Sequence, residues 1–373
     1  MPFLHGKATT RRELMRRVGR LEQVAGVRLV TLGDGIERGV RALEFRTGTG
    51  FAFDVLVDRS LDVGRCELNG RSLSWLSATG VVGPWYAEPL GLGWFRMWGG
   101  GMLVTCGLDH TLLGGTDDAS NFHQLVKPTE EYGLHGRVGF IPARLTGYGE
   151  RWEGDDCVLY AEGTVRQAAV YGEAIELRRS IEARVGESRF TVHDVVTNVG
   201  FDPTSHMYLY HVNVGWPVVD AGSAYLIPAA DGVPVAEYPT RDYRRITGPG
   251  QGFPEECYEH DTIPEADGRV PVAVVNRDAG LGAYQLYRKD QFKFHTMWRM
   301  LGEGTYGVAM EPTTNRDAGR FDARERGELM FLQPGESRSY ELEIGALDGK
   351  GAIDAFASRV DGLVASSRQK SRA

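Results

Sequence analysis

Hydrophobic and polar positions alternate with a period of two over most of this chain. The alternation is clearest at residues 41–46 and 51–57, which a glycine-rich turn separates. This period is typical of strands that bury one face in an antiparallel sheet. We predict strands at these two segments and also at residues 27–32, 157–165, 174–185, 190–198, 207–214, 282–288, 291–298, 305–311, 328–332 and 338–346.

A helical period appears near the N-terminus. Thr10 and Glu13 have the spacing of a capping box. Leu14, Val18 and Leu21 then follow at helical intervals. We predict a short N-terminal helix here.

The strand-rich part of the sequence contains no linker, low-complexity tract or internal repeat. We therefore predict an all-β protein, a large antiparallel β-sandwich with residues 1–25 as an N-terminal helical segment. Residues 26–350 would form a single sandwich domain and residues 351–373 a C-terminal tail. Two long stretches, 87–139 and 228–265, have little periodicity. Such stretches inside a compact domain are usually functional loops.

Composition and charge indicate which classes of binding partner and which cellular compartment to expect. The chain has 373 residues, is 42% hydrophobic and carries a formal net charge of −8. An acidic balance argues against a nucleic-acid partner, and no apolar run approaches the roughly 20 residues of a membrane span. The 4 cysteines are far apart, as is typical of a reduced protein. We expect a cytoplasmic protein with no nucleic-acid and no membrane partner.

Several common catalytic motifs are missing from the sequence. The glycine-rich runs at residues 91–93 and 99–101 lack the spacing of a dinucleotide-binding loop. No G-x-S-x-G nucleophile elbow is present either. The spacing of the histidines identifies no metal site, and the question of a metal stays open.

Three segments combine polar side chains with strand or turn patterns in an unusual way. His135 lies between turn residues, and His211 and Asn213 have the spacing of one strand face. Glu311 closes an apolar strand and is followed by Pro312. A buried glutamate is costly to ionise, so its pKa would be raised, as a general base near neutral pH requires. A structural ion pair at the sheet edge explains the same residue equally well.

Together the three segments resemble the aldose 1-epimerase (galactose mutarotase-like) superfamily, in particular its bacterial branch of aldose 1-epimerase-like proteins. The resemblance rests on Leu134-His135-Gly136 with Gly139-Phe140, on His211 after Thr197-Asn198, and on Glu311-Pro312 with Asn315. It implies the large galactose mutarotase-like supersandwich and a carbohydrate isomerase.

The resemblance also implies roles for individual residues. Glu311 would take the proton of the anomeric hydroxyl, and His211 would protonate the ring oxygen, so that the sugar ring opens. His135 would hydrogen-bond a sugar hydroxyl or assist at the ring oxygen. This chemistry needs no cofactor, and the partner would be a small sugar or sugar derivative. A homodimer is left open.

Further candidate ligands come from the residues themselves. Arg59 and Asp62 could read sugar hydroxyls, or form a salt bridge at the rim. Arg96, beside two tryptophans, would suit an anionic substituent. Trp298 could stack on a sugar or pack in the core, and Asn213 and Asn315 complete the set of expected substrate-binding residues.

The sequence also departs from well-characterised galactose mutarotases. It lacks their Asn-Arg pair before the His-Gly motif and their Pro-Thr-Gly signature after the second histidine. These differences indicate a sugar other than galactose itself. Two alternatives stay open: a keto-sugar epimerase or lyase, with or without a metal, and a non-catalytic carbohydrate-binding protein.

Overall fold

A computed structural model describes residues 1–118, 128–239 and 242–370 of the chain, and strands dominate all three ranges. In chain order the strands are β1 (Phe3–Leu4), β2 (Lys7–Ala8), β3 (Gly26–Thr31), β4 (Arg41–Arg46), β5 (Phe51–Leu56), β6 (Asp62–Leu68), β7 (Arg71–Ser72), β8 (Val104–Cys106), β9 (Gly115–Asp118), β10 (Thr129–Tyr132), β11 (Arg144–Glu153), β12 (Asp156–Ala168), β13 (Ala174–Arg184), β14 (Arg189–Asn198), β15 (Thr204–His206), β16 (Leu209–Gly215), β17 (Ala224–Leu226), β18 (Val233–Pro234), β19 (Glu256–His260), β20 (Arg269–Asn276), β21 (Leu281–Arg288), β22 (Phe294–Gly302), β23 (Thr305–Thr313), β24 (Met330–Leu332) and β25 (Ser337–Asp348). The α-helices are α1 (Arg11–Met15), α2 (Trp94–Met97), α3 (Gly319–Glu325) and α4 (Gly349–Lys370).

Each predicted segment overlaps an observed strand, but β6, β11, β20 and several shorter strands were not predicted. Along β13 and β14, buried positions alternate with more exposed ones. A boundary differs at β22, which begins at Phe294 rather than at residue 291. The backbone N–H groups of Gln291 and Phe292 donate to the carbonyl of Arg288 instead, so these residues form the turn after β21.

Three large antiparallel sheets form the sandwich. Their strand orders are β11-β12-β13-β14-β25-β21-β20-β17, β18-β19-β22-β23-β16-β8 and β3-β4-β5-β6-β7. Side chains from all three meet in one apolar core, for example Ile181 from the first, Met310 from the second and Phe53 from the third. The predicted antiparallel β-sandwich is therefore confirmed.

The N-terminal helix is shorter than its apolar pattern suggests. The capping box of Thr10 and Glu13 is present, but α1 ends at Met15. Val18 and Leu21 lie beyond it and still pack into the main core. The N-terminal segment is thus held to the sandwich by these apolar contacts.

The C-terminal residues, expected to be a tail, form helix α4. Ile353, Phe356 and Val360 recur at helical spacing and pack on Val275 and Leu286 of the eight-stranded sheet. Burial of this apolar stripe against the outer face of the sheet stabilises the helix. In the described part of the chain, no helix combines the length and the apolar character needed to cross a membrane.

The six-stranded sheet presents two different faces. Met297 and Met310 point into the core. Because side chains alternate along a strand, Trp298 on β22 and Glu311 on β23 point to the opposite face. The pairing of Leu209 with Thr313 on one side and of Val212 with Met310 on the other sets the register of β16 against β23. That register brings His211, on β16, level with Glu311.

Candidate active site

A histidine and a glutamate face each other across β16 and β23. His211 Nε2 lies 3.3 Å from Glu311 Oε1, and the two side chains are only 3% and 4% exposed. Among the described residues, Glu311 Oε1 and His211 Nδ1 have no hydrogen-bond partner. Buried polar atoms without partners are rare in folded proteins, and they are often explained by a ligand or by a catalytic role.

Burial determines how this pair is protonated. Loss of hydration raises the pKa of Glu311 well above its ordinary value, and the charges of Asp317 and Glu255 raise it further. Burial lowers the pKa of His211 to about 3. Both shifts favour the uncharged groups. Between these two pKa values the pair holds one titratable proton, and burial favours its position on the carboxyl group.

His135 approaches the pair from a neighbouring turn. The rings of His135 and His211 lie 5.8 Å apart between centroids. The backbone N–H of Leu112 donates to His135 Nδ1 over 3.4 Å, and burial lowers the pKa of His135 well below its usual range. A neutral imidazole that accepts at Nδ1 carries its proton on Nε2. His135 is thus prepared to donate a hydrogen bond from Nε2.

The turn that carries His135 requires glycine at the next position. Gly136 has a φ of +71°, and a Cβ at this position would lie 2.5 Å from the carbonyl oxygens of Gly107 and His110. A side chain fits neither the backbone conformation nor the space. This is the physical basis of the His-Gly motif.

Tryptophan rings form the walls around the pair. The ring centroids of Trp98 and Trp298 lie 4.8 and 5.7 Å from that of His211, and Trp94 stacks on Trp98 at 4.4 Å. Together with the two histidines and the glutamate they line a cavity of about 210 Å³. Sites for drug-sized ligands measure about 300–1,000 Å³, so this cavity fits one smaller molecule.

Two acidic residues that the sequence analysis missed also line the cavity. Glu255 Oε1 accepts a hydrogen bond from the indole N–H of Trp298 over 2.6 Å. Burial, with the charges of Glu259 and Glu255, raises the pKa of Asp317 to about 7. Glu255 lies just before β19 and Asp317 just after β23. Their positions at the ends of strands near Glu311 are the signal that could have found them.

Arg59 and Asp62 lie outside the lining of this cavity, which corrects the expectation that they read sugar hydroxyls. The Arg59 guanidinium is buried and donates to the backbone carbonyls of Gly139, at 2.6 Å, and Met97, at 3.1 Å. Asp62 is buried as well and pairs with Arg179 at 3.0 Å. Both residues bond to the interior of the protein, so they stabilise the fold.

Arg96 also lies outside the lining. Its side chain is 65% exposed and pairs with Glu88. Helix α2 places this guanidinium in solvent, while Trp94, two residues earlier, is buried and lines the cavity. The expectation that Arg96 binds an anionic substituent is therefore corrected.

Asn213 and Asn315 are buried near the pair without lining the cavity. The Asn213 amide donates to the backbone carbonyls of Gly101 and His211, at 2.9 Å each. Asn315 Oδ1 accepts a hydrogen bond from Thr314 at 2.8 Å. These bonds hold the backbone beside the site. Of the expected site residues, the cavity brings together Glu311, His211, His135 and Trp298.

Other parts of the described surface show fewer features of a catalytic or metal-binding site. Across the described ranges, no group of three or more His, Cys, Asp or Glu side chains is arranged to hold a metal ion. A larger groove of about 540 Å³ runs past Lys293, Glu328 and Arg338. None of the described residues that line this groove has a buried side-chain nitrogen or oxygen without a partner. The cavity at Glu311 is therefore the candidate active site.

Comparisons with known proteins support the fold described above. A family model described as "Domain of unknown function (DUF4432)" matches residues 37–346. No curated protein matches the sequence. Among solved structures, the chain is similar to a "putative aldose 1-epimerase" from Klebsiella pneumoniae subsp. pneumoniae, with a TM-score of 0.82, 22% identity and coverage of 92% of this chain and 90% of that chain.

A more distant similarity extends to a galactose mutarotase-like protein from Clostridium acetobutylicum. The TM-score is 0.59 at 11% identity, with 86% of this chain and 98% of that chain covered. At these identities the likeness concerns the fold. The galactose mutarotase-like fold expected from the sequence motifs is confirmed.

Proposed function

The chain belongs to the DUF4432 family, a domain of unknown function, and we propose that it is an isomerase that interconverts the anomers of a small sugar. The proposal depends chiefly on one observation. Glu311 and His211 form a buried pair, 3.3 Å apart, with unpartnered polar atoms beside a cavity of about 210 Å³.

Anomer interconversion needs a base and an acid near one carbon atom. The base accepts the proton of the anomeric hydroxyl, and the acid donates a proton to the ring oxygen. The bond between the anomeric carbon and the ring oxygen then breaks, and its electrons go to the oxygen while a carbonyl forms. After rotation about the adjacent carbon–carbon bond, both proton transfers reverse and give the other anomer.

The pair can supply both groups because it holds a single proton. Hydrogen bonds from sugar hydroxyls stabilise the Glu311 carboxylate, and the proton passes over 3.3 Å to His211. Glu311 is then the base and His211 the acid. General acid–base catalysis of this kind contributes about 10²–10⁴-fold in rate.

The surrounding residues would position the sugar. Trp94, Trp98 and Trp298 offer ring surfaces for its apolar face. His135 would donate from Nε2 to a hydroxyl. These residues exclude water from the pair, which strengthens the electrostatic interactions there.

We also place the reaction in the cytoplasm. All four cysteines lie in the described ranges and are free thiols, three of them buried. Free thiols persist in a reducing compartment. The reaction as written needs no cofactor.

The proposal is tested by proton NMR exchange spectroscopy on a panel of monosaccharides. The wild-type protein is expected to accelerate the exchange between anomers of at least one sugar. Glu311→Gln, which keeps the shape of the side chain, is expected to lose at least about 100-fold of this rate. Arg96→Ala is the matched control, because Arg96 is exposed outside the cavity.

Two outcomes would contradict the proposal. Equal exchange rates for Glu311→Gln and the wild type would show that Glu311 is not the base. No acceleration for any sugar would exclude anomer exchange on that panel. The same pair would then be tested for epimerisation or elimination on keto-sugars, and by sugar binding without turnover.

A further inference from the structure

The charged side chains of the candidate active site are acidic, and basic side chains of the described lining do not balance them. Glu255, Glu311 and Asp317 all line the cavity, and the described lining includes no lysine or arginine. The imidazoles of His135 and His211 are held neutral by burial. The cavity therefore presents acidic groups with no positive charge of the protein to balance them.

The Asp317 carboxylate is available to a ligand. In the described part of the chain no hydrogen bond or ion pair reaches its side chain, although its backbone N–H donates to Glu259 Oε1 at 2.5 Å. That bond fixes the backbone of Asp317 and leaves the carboxylate oxygens free. Glu255 uses Oε1 for the indole of Trp298, so its second oxygen stays available.

An independent observation shows that these groups face a ligand site. Glu311 Oε1 belongs to a side chain that is 4% exposed, it faces the same cavity, and it has no hydrogen-bond partner among the described residues. The raised pKa values of Glu311 and Asp317 have a common cause, because burial and neighbouring acidic groups both disfavour their charged forms. A positive charge in the cavity would relieve both effects.

We propose that the sugar bound here carries a protonated amine, and that Asp317 and Glu255 hold its ammonium group beside the indole of Trp298. The inference rests on the proposed function, since it names the substrate class of the same site. It assigns Asp317 as a specificity-determining residue.

An ammonium group fits this lining better than a hydroxyl or an anion. Carboxylates only accept hydrogen bonds, and an ammonium donates three. A hydroxyl donates one and leaves the negative charge unbalanced. A sugar phosphate, sulfonate or carboxylate would meet repulsion from the Asp317 and Glu255 carboxylates. Tryptophan faces attract cations in addition.

The experiment measures binding and exchange in parallel, with D-glucosamine, D-galactosamine and D-mannosamine as probes. The controls are the parent hexoses and the N-acetyl derivatives, which lack the positive charge. Binding is followed by the fluorescence of the tryptophans that line the cavity, and exchange by NMR. A charge-assisted hydrogen bond contributes about 1.5–3 kcal/mol, so we expect at least one amino sugar to bind about 10–100-fold more tightly than its two controls.

The variant Asp317→Asn provides a second, independent test in the same binding assay. It keeps the size of the side chain and removes the charge, so the preference for the amino sugar is expected to fall at least about tenfold. Arg96→Ala, whose side chain lies outside the cavity, should change the affinities for the amino sugar and for the parent hexose by less than about threefold. Glu255→Gln is expected to reduce the preference as well.

The outcomes separate this inference from the proposed function. Amino-sugar preference in binding without anomer exchange would support the inference and overturn the proposed function. Exchange with equal affinities for amino, acetylated and parent sugars would overturn the inference and support the function. Failure of every sugar to bind would overturn both.

Discussion

Strand β16 separates two buried polar clusters of different character. The framework cluster lies on its core side and consists of Asp62, Arg179, Asp194, Tyr208 and Tyr210. The site cluster lies on its cavity side and consists of His135, His211 and Glu311. Because Tyr210 and His211 are adjacent in the chain, their side chains point to opposite faces of the sheet.

The framework cluster has its hydrogen bonds satisfied. Arg179 donates to both oxygens of Asp194 at 2.8 and 2.7 Å. The hydroxyls of Tyr208 and Tyr210 donate to Asp194 Oδ2 at 2.6 and 2.5 Å. A second carboxylate, Asp62, balances the arginine at 3.0 Å. This cluster connects the eight-stranded sheet to β16 and leaves no group free for a ligand.

The site cluster is just as buried but lacks such partners. Glu311 Oε1 and His211 Nδ1 are unpartnered among the described residues. Burial of a charged residue by itself therefore does not identify an active site. Unsatisfied hydrogen-bonding capacity beside a cavity is the informative feature.

The largest expected effect comes from changing one carboxylate to its amide in each cluster. Asp194→Asn should lower the free energy of unfolding by about 3–5 kcal/mol, because it breaks a buried ion pair and leaves charge uncompensated. Glu311→Gln should instead raise the free energy of unfolding, since burial disfavours the charged form that the unfolded chain adopts at neutral pH. Urea unfolding at neutral pH measures both.

The same two variants should behave in the opposite way in the exchange assay. Glu311→Gln loses activity while folded, and Asp194→Asn keeps activity in its folded fraction. Similar losses of stability in both variants would break the distinction between the clusters.

The buried histidine His206 allows a second test. His206 Nδ1 donates to the Leu108 carbonyl at 2.8 Å, and its Nε2 accepts from the Tyr340 hydroxyl at 2.6 Å. Burial lowers its pKa to about 4, whereas in the unfolded chain it titrates near 6.5. Its contribution to stability is therefore fully present above about pH 6.5 and is lost as the pH falls through about 4.

The free energy of unfolding is expected to fall by up to about 3–4 kcal/mol over this range as His206 takes up its proton. His206→Gln, which retains a donor and an acceptor, should weaken the pH dependence. Urea unfolding at a series of pH values measures it. An unchanged slope in the variant would exclude His206 as a source of acid lability.

The pH dependence of activity gives a third test, on the site cluster. The pair holds one proton between the pKa of His211, about 3, and the raised pKa of Glu311. Above the latter the shared proton is lost and no acid remains. We expect the exchange rate to fall about tenfold per pH unit on the alkaline side. A rate that rises steadily with pH would contradict the shared proton.

The smallest effect is expected at the surface. Arg96 is 65% exposed and pairs with Glu88. Arg96→Ala should change the free energy of unfolding by less than about 0.5 kcal/mol and leave anomer exchange unaffected. If Arg96→Ala lost as much exchange activity as Glu311→Gln, Arg96 would have to be assigned a role in the site.

Local alternation predicted most of the long strands, while β6, β11 and β20 were not predicted. Alternation at period two depends on each strand having one face in the core, and this can be read residue by residue. The motifs around His135, His211 and Glu311 combine a special turn or a costly buried charge with short spacing. Helix α4 was missed because the polar surroundings of its apolar stripe resemble those of a tail.

The β-sandwich could be predicted from the sequence, because alternation depends on short-range pattern, and the motifs led to the hypothesis that His135, His211 and Glu311 form the site. Tertiary structure alone decided which charged residues belong together. Asp62 was expected in the site and lies in the framework cluster, whereas Asp317 and Glu255 were not expected and line the cavity. The physical reason is that ion pairs and hydrogen bonds form between strands distant in sequence, and their partners are set by register and packing.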